Sequence, residues 1–160
     1  MIWTIRAILV ALVIDQLSKL WILHIVDLPN RHFIPLIEPI LNLQMAWNQG
    51  VNFGLLSSDN AATRWIFIGL ALAVCLIVVF WVRSEVSTKW GYISAGLLIG
   101  GALGNAIDRF AYGAVVDFIN NSWFGWQNPF SYNFADVFVF LGVVGLLLFS
   151  EERKPKKNKA

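Results

Sequence analysis

The sequence predicts an all-α integral membrane protein with four transmembrane helices and a small extracytoplasmic segment that contains β-structure. Three observations lead to this fold class. Apolar residues make up 58% of the 160 residues, charged residues make up only 14%, and the apolar residues are grouped in four long runs. An average soluble protein has about 25% charged residues. A chain of this length has room for one domain, so we expect residues 1–160 to form a single membrane domain.

The four apolar runs predict membrane spans at about residues 3–26, 63–82, 90–110 and 134–149. A run of about 20 residues matches the ~30 Å hydrocarbon core, and the fourth run is shorter than the others. The first run resembles a secretory signal, but it lacks a small-x-small cleavage site and is interrupted by polar residues. We therefore expect it to be a retained helix.

The segments between these runs, residues 27–62 and 111–133, are predicted to lie outside the membrane. Residues 40–47 partly alternate apolar and polar side chains, a pattern that predicts a half-buried strand in a small surface sheet. Residues 111–133 contain Trp123, Trp126 and Tyr132, which are of the kind enriched at membrane boundaries.

The positions of Lys and Arg predict the topology. Arg6, the connection with Arg83 and Lys89, and the basic tail 151–160 would share one side of the membrane. The positive-inside rule makes that side cytoplasmic, so segments 27–62 and 111–133 would face outward. The tail is expected to determine topology and attract anionic lipids, and no nucleic-acid partner is expected.

Several polar and small residues lie within the apolar runs. On a helix Asp15, Ser18 and Lys19 fall on one side, and an acid four residues before a base is the favourable order. This pair either belongs to a functional site or merely neutralises itself inside the bundle. Gly96, Gly100 and Gly104 form one strip of the helix without side chains, which predicts close packing against a single neighbouring helix. We therefore expect these glycines to be packing residues that take no part in the chemistry.

The residue inventory excludes several kinds of catalysis. His24 and His32 are the only histidines, and the sequence has no His-Glu-x-x-His motif for zinc. Cys75 is the single cysteine, so a cysteine metal cluster and an intramolecular disulfide are both excluded. A Gly-x-Ser-x-Gly motif is absent as well. We therefore expect neither a metal nor a cofactor.

Two carboxylates lie at corresponding places in the sequence. Asp117 comes just after the third apolar run, and Asp136 begins the fourth. Alone, each would be a helix cap or an ion-pair partner. As a pair sharing one proton, they could hydrolyse a peptide through an activated water. The alternatives are a proton or ion pathway lined by Asp15, Lys19 and both aspartates, and a structural scaffold.

Three sequence blocks resemble those of the lipoprotein signal peptidases, the bacterial signal peptidase II family of intramembrane aspartic proteases. They are Gly-Gly-Ala-Leu-Gly-Asn-Ala-Ile-Asp-Arg at 100–109, Val-Val-Asp-Phe at 115–118 and Asn-Phe-Ala-Asp at 133–136. The loop 47–54 and the pair Asp15 and Lys19 also match.

The resemblance implies that Asp117 and Asp136 form a catalytic dyad, and it implies supporting or substrate-binding roles for a second group of residues. That group consists of Asn48, Gly54, Asn105, Asp108, Arg109, Asn133, Asp15 and Lys19. Asp108 and Arg109 have an alternative interpretation as an ordinary interfacial ion pair.

The resemblance also implies partners and location. The substrate would be a diacylglyceryl-modified prolipoprotein, cut on the amino side of its lipidated cysteine. Membrane lipids and cyclic-peptide inhibitors such as globomycin would be further partners of a monomer in the bacterial inner membrane, with both termini cytoplasmic. The chain departs from the common family pattern at Trp47, at Val51-Asn52 and at Tyr132. These changes bear on how the outer loop binds substrate or inhibitor.

Overall fold

The computed structural model describes residues 1–50, 60–123, 126 and 128–150. Within these ranges the chain forms five α-helices, one π-helical turn and three strands. In order they are α1 (Ile2–Leu20), the π-helical turn (Trp21–Ile25), α2 (Leu28–Arg31), β1 (Phe33–Ile37), β2 (Leu41–Asn48), α3 (Asn60–Ser84), α4 (Lys89–Tyr112), β3 (Val115–Asn121) and α5 (Phe134–Phe149).

Three helical segments of the described chain are long and apolar enough to cross a membrane: Ile2–Ile25, Ala62–Ser84 and Lys89–Tyr112. At 1.5 Å per residue, a 24-residue helix such as α4 extends beyond the ~30 Å hydrocarbon core. Helix α5 is also apolar but has only 16 residues. A mostly helical membrane protein with a small sheet is therefore confirmed.

Helix α4 is packed closely on both sides because glycines replace larger residues at its contacts. A Cβ atom built on Gly96 would lie 2.6 Å from Cβ of Ala7, and one on Gly100 would lie 2.7 Å from Cβ of Ala11. Both partners belong to α1, so the predicted glycine strip does face one neighbour. On the other side of α4, Gly142 lets α5 approach the α4 backbone.

The sheet has the strand order β1-β2-β3, and all its pairs are antiparallel. Strand β2 is the strand predicted at residues 40–47. The sheet packs on the end of the bundle, where Leu43, Val116 and Phe118 form a buried cluster with Ile22 and Leu28. Strand β3 is thereby held beside the helix ends.

The short connection from α4 to β3 decides where β3 begins. Helix α4 ends at Tyr112 and is capped by Gly113, whose φ of +81° is a left-handed conformation that suits glycine; the Gly113 amide donates to the carbonyl of Arg109. Arg64 of α3 donates to the carbonyl of Phe110 in the same last turn. Only Gly113 and Ala114 separate α4 from β3, so Asp117 lies close to the end of α4.

Candidate active site

Asp117 is buried in strand β3 and bound by two amides. Its side chain is 2% exposed. Asn48 at the end of β2 donates from Nδ2 to Oδ2 over 3.0 Å, and Asn133 donates from Nδ2 to Oδ1 over 2.6 Å. Both donors stabilise the ionised carboxylate, since each supplies an N–H to an acceptor oxygen.

Asp136 lies in the first turn of α5, where it forms a capping box with Asn133. Asn133 Oδ1 accepts the amide of Asp136 at 3.0 Å, and Asp136 Oδ2 accepts the amide of Asn133 at 3.1 Å. The helix-cap role expected of an isolated aspartate is therefore present. The other oxygen, Oδ1, accepts a hydrogen bond of 2.8 Å from Asn105 Nδ2.

Asn133 joins the two aspartates. Its side chain donates to Asp117 while its backbone amide donates to Asp136, so one residue contacts both carboxylates. Asn105 accepts from Asn133 Nδ2 at 3.1 Å and donates to Asp136. The two predicted dyad residues, 19 positions apart in the chain, are thus brought together with Asn105 and Asn133, two of the three asparagines predicted for the site.

The surroundings of Asp117 favour its protonated form. Burial is the largest effect and the negative charge of Asp136 adds to it, so the pKa of Asp117 is raised from 3.8 to about 6. The hydrogen bonds from Asn48 and Asn133, and the charge of Lys19, oppose this rise. A carboxyl with such a pKa exchanges its proton near neutral pH, as an acid–base catalyst must.

A buried ionic network lies directly beneath the aspartates. Lys19 Nζ is 2.8 Å from Asp15 Oδ2 and 2.7 Å from Asp108 Oδ2, and it also donates to Asn105 Oδ1 at 3.2 Å. All three charged side chains are at most 2% exposed. Asp15 and Lys19 therefore do more than neutralise each other, because a second acid shares the lysine.

The two acids of this network also bind the backbone next to the aspartates. Asp15 Oδ1 accepts the amide of Ala135 at 2.9 Å, and Asp108 Oδ2 accepts the amide of Val116 at 3.1 Å. Ala135 and Val116 immediately precede the two candidate dyad residues in the sequence. The Val116 amide is buried, and the Ala135 amide lies in the first turn of α5, where amides have no acceptor within the helix. The two carboxylates supply acceptors for these amides.

Gln16 is a site residue that the sequence analysis did not identify. Its Nε2 donates to Asp108 Oδ1 at 3.0 Å and to Asp15 Oδ2 at 3.1 Å, so it links the two acids, as Lys19 does. In the sequence, only its position beside Asp15 within an apolar run indicates a role in the site. Gly104 leaves room for this network, since a Cβ there would lie 2.5 Å from Asp15 Oδ2.

Arg109 does not pair with Asp108, so the simple ion-pair interpretation of these two residues is wrong. Asp108 pairs instead with Lys19, which also pairs with Asp15. The Arg109 guanidinium instead lies over the ring of Phe67, with Cζ 4.9 Å from the ring centroid. It remains within electrostatic range of Asp117 and Asp136.

Two predictions remain, a supporting role for Gly54 and the absence of a metal. Gly54 lies outside the described residues, as do Val51 and Asn52. In the ranges that the structure covers, no group of three His, Cys, Asp or Glu side chains is arranged to hold a metal ion.

A separate groove of about 860 Å³ lies between β1, β2 and a group of residues that follow β3, namely Ser122, Trp123, Trp126, Asn128 and Pro129. Its walls include Phe33, Asn42, Gln44, Trp123 and Trp126. None of the residues assigned to the carboxylate site lines it, so this groove and the carboxylate site are distinct.

The apolar helical bundle with its polar, carboxylate-bearing end is the fold of an integral membrane protein. A solved structure described as a bacterial membrane enzyme, determined by the in meso method at 1.9 Å resolution, has the same fold with a TM-score of 0.77. The match covers 91% of this chain and 90% of that chain at 25% identity.

Residues 7–151 match the family model of signal peptidase (SPase) II. The lipoprotein signal peptidases of Nitrobacter hamburgensis and Methylobacterium sp. are 40% and 38% identical to the chain. These matches cover 94% and 86% of this chain, and 93% and 81% of the relatives. The chain belongs to the signal peptidase II family. It is accordingly a protease that removes signal peptides from prolipoproteins.

Proposed function

We propose that Asp117 and Asp136 are the catalytic dyad of this peptidase and activate a water molecule for direct attack on the scissile bond. The observation that carries the proposal is their shared partner Asn133, which binds one carboxylate through its side chain and the other through its backbone. Two carboxyl groups held by the same residue cannot both ionise easily, because their negative charges repel, so the pair retains one proton.

The environments of the two carboxyls assign the roles. Asp117 is buried and its pKa is raised to about 6, which favours its protonated form relative to a free carboxyl, so we assign it the role of general acid. Asp136 lies in the first turn of α5, where it accepts hydrogen bonds from Asn133 and Asn105, and we assign it the role of general base.

The reaction then needs no covalent intermediate. Asp136 takes a proton from water as the water oxygen attacks the scissile carbonyl, while Asp117 donates its proton to the carbonyl oxygen. The tetrahedral intermediate collapses when Asp117 recovers the proton of that hydroxyl and Asp136 gives its own to the departing amine. The peptide bond is broken, one water is consumed and the dyad returns to its starting state.

The substrate is a prolipoprotein whose cysteine carries diacylglycerol, and cleavage occurs on the amino side of that cysteine. Arg109 and Asn48 lie beside the dyad, where they would contact the substrate together with the loop that contains Gly54. Cyclic-peptide inhibitors such as globomycin would compete for the same place. The enzyme acts as a monomer among membrane lipids.

We further propose that the dyad lies near the outer face of the bacterial inner membrane. In this topology α5 is the fourth span and both termini are cytoplasmic. The basic residues Arg6, Arg83 and Lys89 support this orientation through the positive-inside rule. A tag inserted between Arg83 and Lys89 should be labelled from the cytoplasm and a tag near residue 59 from outside; labelling of both from one side would refute the topology.

The alternative of a proton or ion pathway receives less support. A pathway needs carboxylates spread over the depth of the bilayer. Here Asp15, Asp108, Asp117 and Asp136 belong to one hydrogen-bonded assembly with Lys19 and the asparagines. Membership of a peptidase family points the same way.

Purified protein in detergent or nanodiscs should cleave a synthetic diacylglyceryl-prolipoprotein, and mass spectrometry should locate the cut immediately before the lipidated cysteine. The same peptide without diacylglycerol is the matched control and should not be cut. Cleavage at another bond, or equal cleavage of both peptides, would contradict the proposed substrate.

A further inference from the structure

Arg109 has few contacts for a partly buried guanidinium. Its one hydrogen bond runs from Nη1 to the carbonyl of Asn105 and is long at 3.4 Å. Its Nε is buried and has no hydrogen-bond partner among the described residues, and no described carboxylate forms an ion pair with it. The contact with the Phe67 ring at 4.9 Å is therefore the main one that orients the group.

The same ring also contacts the other side of the site. A Cβ built on Gly50 would lie 2.9 Å from Cδ2 and from Cζ of Phe67, so the ring occupies the space beside the Gly50 backbone. Gly50 has a φ of +97° and donates its amide to Asn48 Oδ1 at 2.9 Å. Asn48 in turn donates to Asp117.

Phe67 therefore lies between two groups that reach the dyad from different elements. Asn48 and Gly50 follow β2, whereas Arg109 belongs to the last turns of α4. Phe67 itself is on α3 and contacts Gly50 and Arg109, not the carboxylates. A single apolar side chain of α3 thus connects that helix to both edges of the site.

We propose that Phe67 is a positioning residue of the peptidase, which holds the Arg109 guanidinium and the Asn48–Gly50 turn against the dyad. This inference rests on the proposed function of Asp117 and Asp136. The aromatic face is required, because an aliphatic side chain fills space beside Gly50 but does not attract a cation.

The charge of Arg109 gives this role a measurable signature. The charged groups that face the dyad are Asp15 and Lys19 from α1 and Asp108 and Arg109 from α4, besides the two aspartates themselves. Lys19 is already shared by two carboxylates, whereas Arg109 has no such partner in the described chain. Loss of its orientation would reduce the positive field at the dyad and move the acidic limb of the kcat/KM profile to higher pH.

The test compares Phe67→Leu and Phe67→Tyr with Phe80→Leu, each purified and assayed on the lipidated substrate. Phe80 lies on the same helix and is 67% exposed, so it is a matched control for the substitution itself. Phe67→Leu should lower kcat/KM by roughly 3- to 30-fold, the range of one cation–π contact. It should also move the acidic limb of the kcat/KM profile to higher pH. Phe67→Tyr should retain most of the activity, and Phe80→Leu should match the wild type.

A double-mutant cycle with Arg109→Gln then asks whether Phe67 acts through Arg109. Phe67→Leu should cost much less in the Arg109→Gln background than in the wild type. Equal costs in both backgrounds, an unchanged acidic limb, or a tyrosine variant no better than leucine would each overturn the proposal. Absence of cleavage by the wild type would instead refute the proposed function, so the two failures are distinguishable.

Discussion

The backbone amide of Ala135 donates a hydrogen bond of 2.9 Å to Asp15 Oδ1, so helix α1 binds the residue that precedes Asp136. The other acid of the buried network makes the equivalent contact: Asp108 accepts the amide of Val116, next to the other dyad residue. One lysine joins these two acids. A single buried network therefore holds the backbone at both candidate catalytic positions.

Asp15→Ala should be strongly destabilising. The change removes the acceptor for the Ala135 amide and leaves Lys19 with one carboxylate in place of two. Disruption of a buried ion pair costs about 3–5 kcal/mol, and thermal or denaturant unfolding in detergent measures it. The exposed Glu38→Ala is the control and should change little. Equal unfolding midpoints for the two variants would show that the network does not support the fold.

Asp117→Asn and Asp136→Asn should each abolish cleavage while the protein remains folded. Either change removes one partner of the shared-proton mechanism, and general acid–base catalysis contributes about 10²–10⁴-fold. Rates of lipidated-peptide cleavage, together with size-exclusion profiles of the purified variants, test this. Wild-type activity in either folded variant would eliminate the dyad.

Stability should depend on pH through Asp117. Its folded-state pKa of about 6 lies above the ordinary 3.8, so the folded state binds more protons between these values and stability falls as pH rises through this window. The loss is at most about 3 kcal/mol for a shift of about two pKa units. Asp117→Asn cannot ionise, so its melting temperature relative to the wild type should increase from pH 4.5 to pH 7.5. A constant difference would show that Asp117 does not titrate in this range.

Gly104→Ala should impair catalysis more than Gly96→Ala. At Gly104 the new Cβ would lie 2.5 Å from Asp15 Oδ2 and would displace the network beneath the dyad. At Gly96 it would meet the Thr4 carbonyl and Ala7, far along α1 from the site, and should mainly lower stability. A displacement of about 1 Å at a catalytic group can cost on the order of 100-fold in rate.

Gly69→Ala serves as the control for these glycine variants, since a Cβ there has no atom within 4 Å. It should be neutral or slightly stabilising. Cleavage rates are compared at equal folded fraction, so that lost stability and lost catalysis are separated. Equal rates for Gly104→Ala and Gly96→Ala would show that this contact does not position the dyad.

The sequence by itself determined the features that depend on local pattern. Long apolar runs identify helices because a span must cover the hydrocarbon core, and the alternation at residues 40–47 identified β2. Spacing of four residues placed Gly96, Gly100 and Gly104 on one face of α4. The motifs around Asp117 and Asp136 identified the family, although the catalytic roles themselves stay predictions.

Only the tertiary structure decided which residues meet. Strand β3 is buried on both faces and has no alternation, and β1 contains Pro35, so neither carried a strand signal. Phe67 is one apolar residue within an apolar run, and no pattern distinguishes it from its neighbours. Periodicity states which side of an element a residue occupies. The partner on that side, such as Asp108 for Lys19, depends on how distant elements pack.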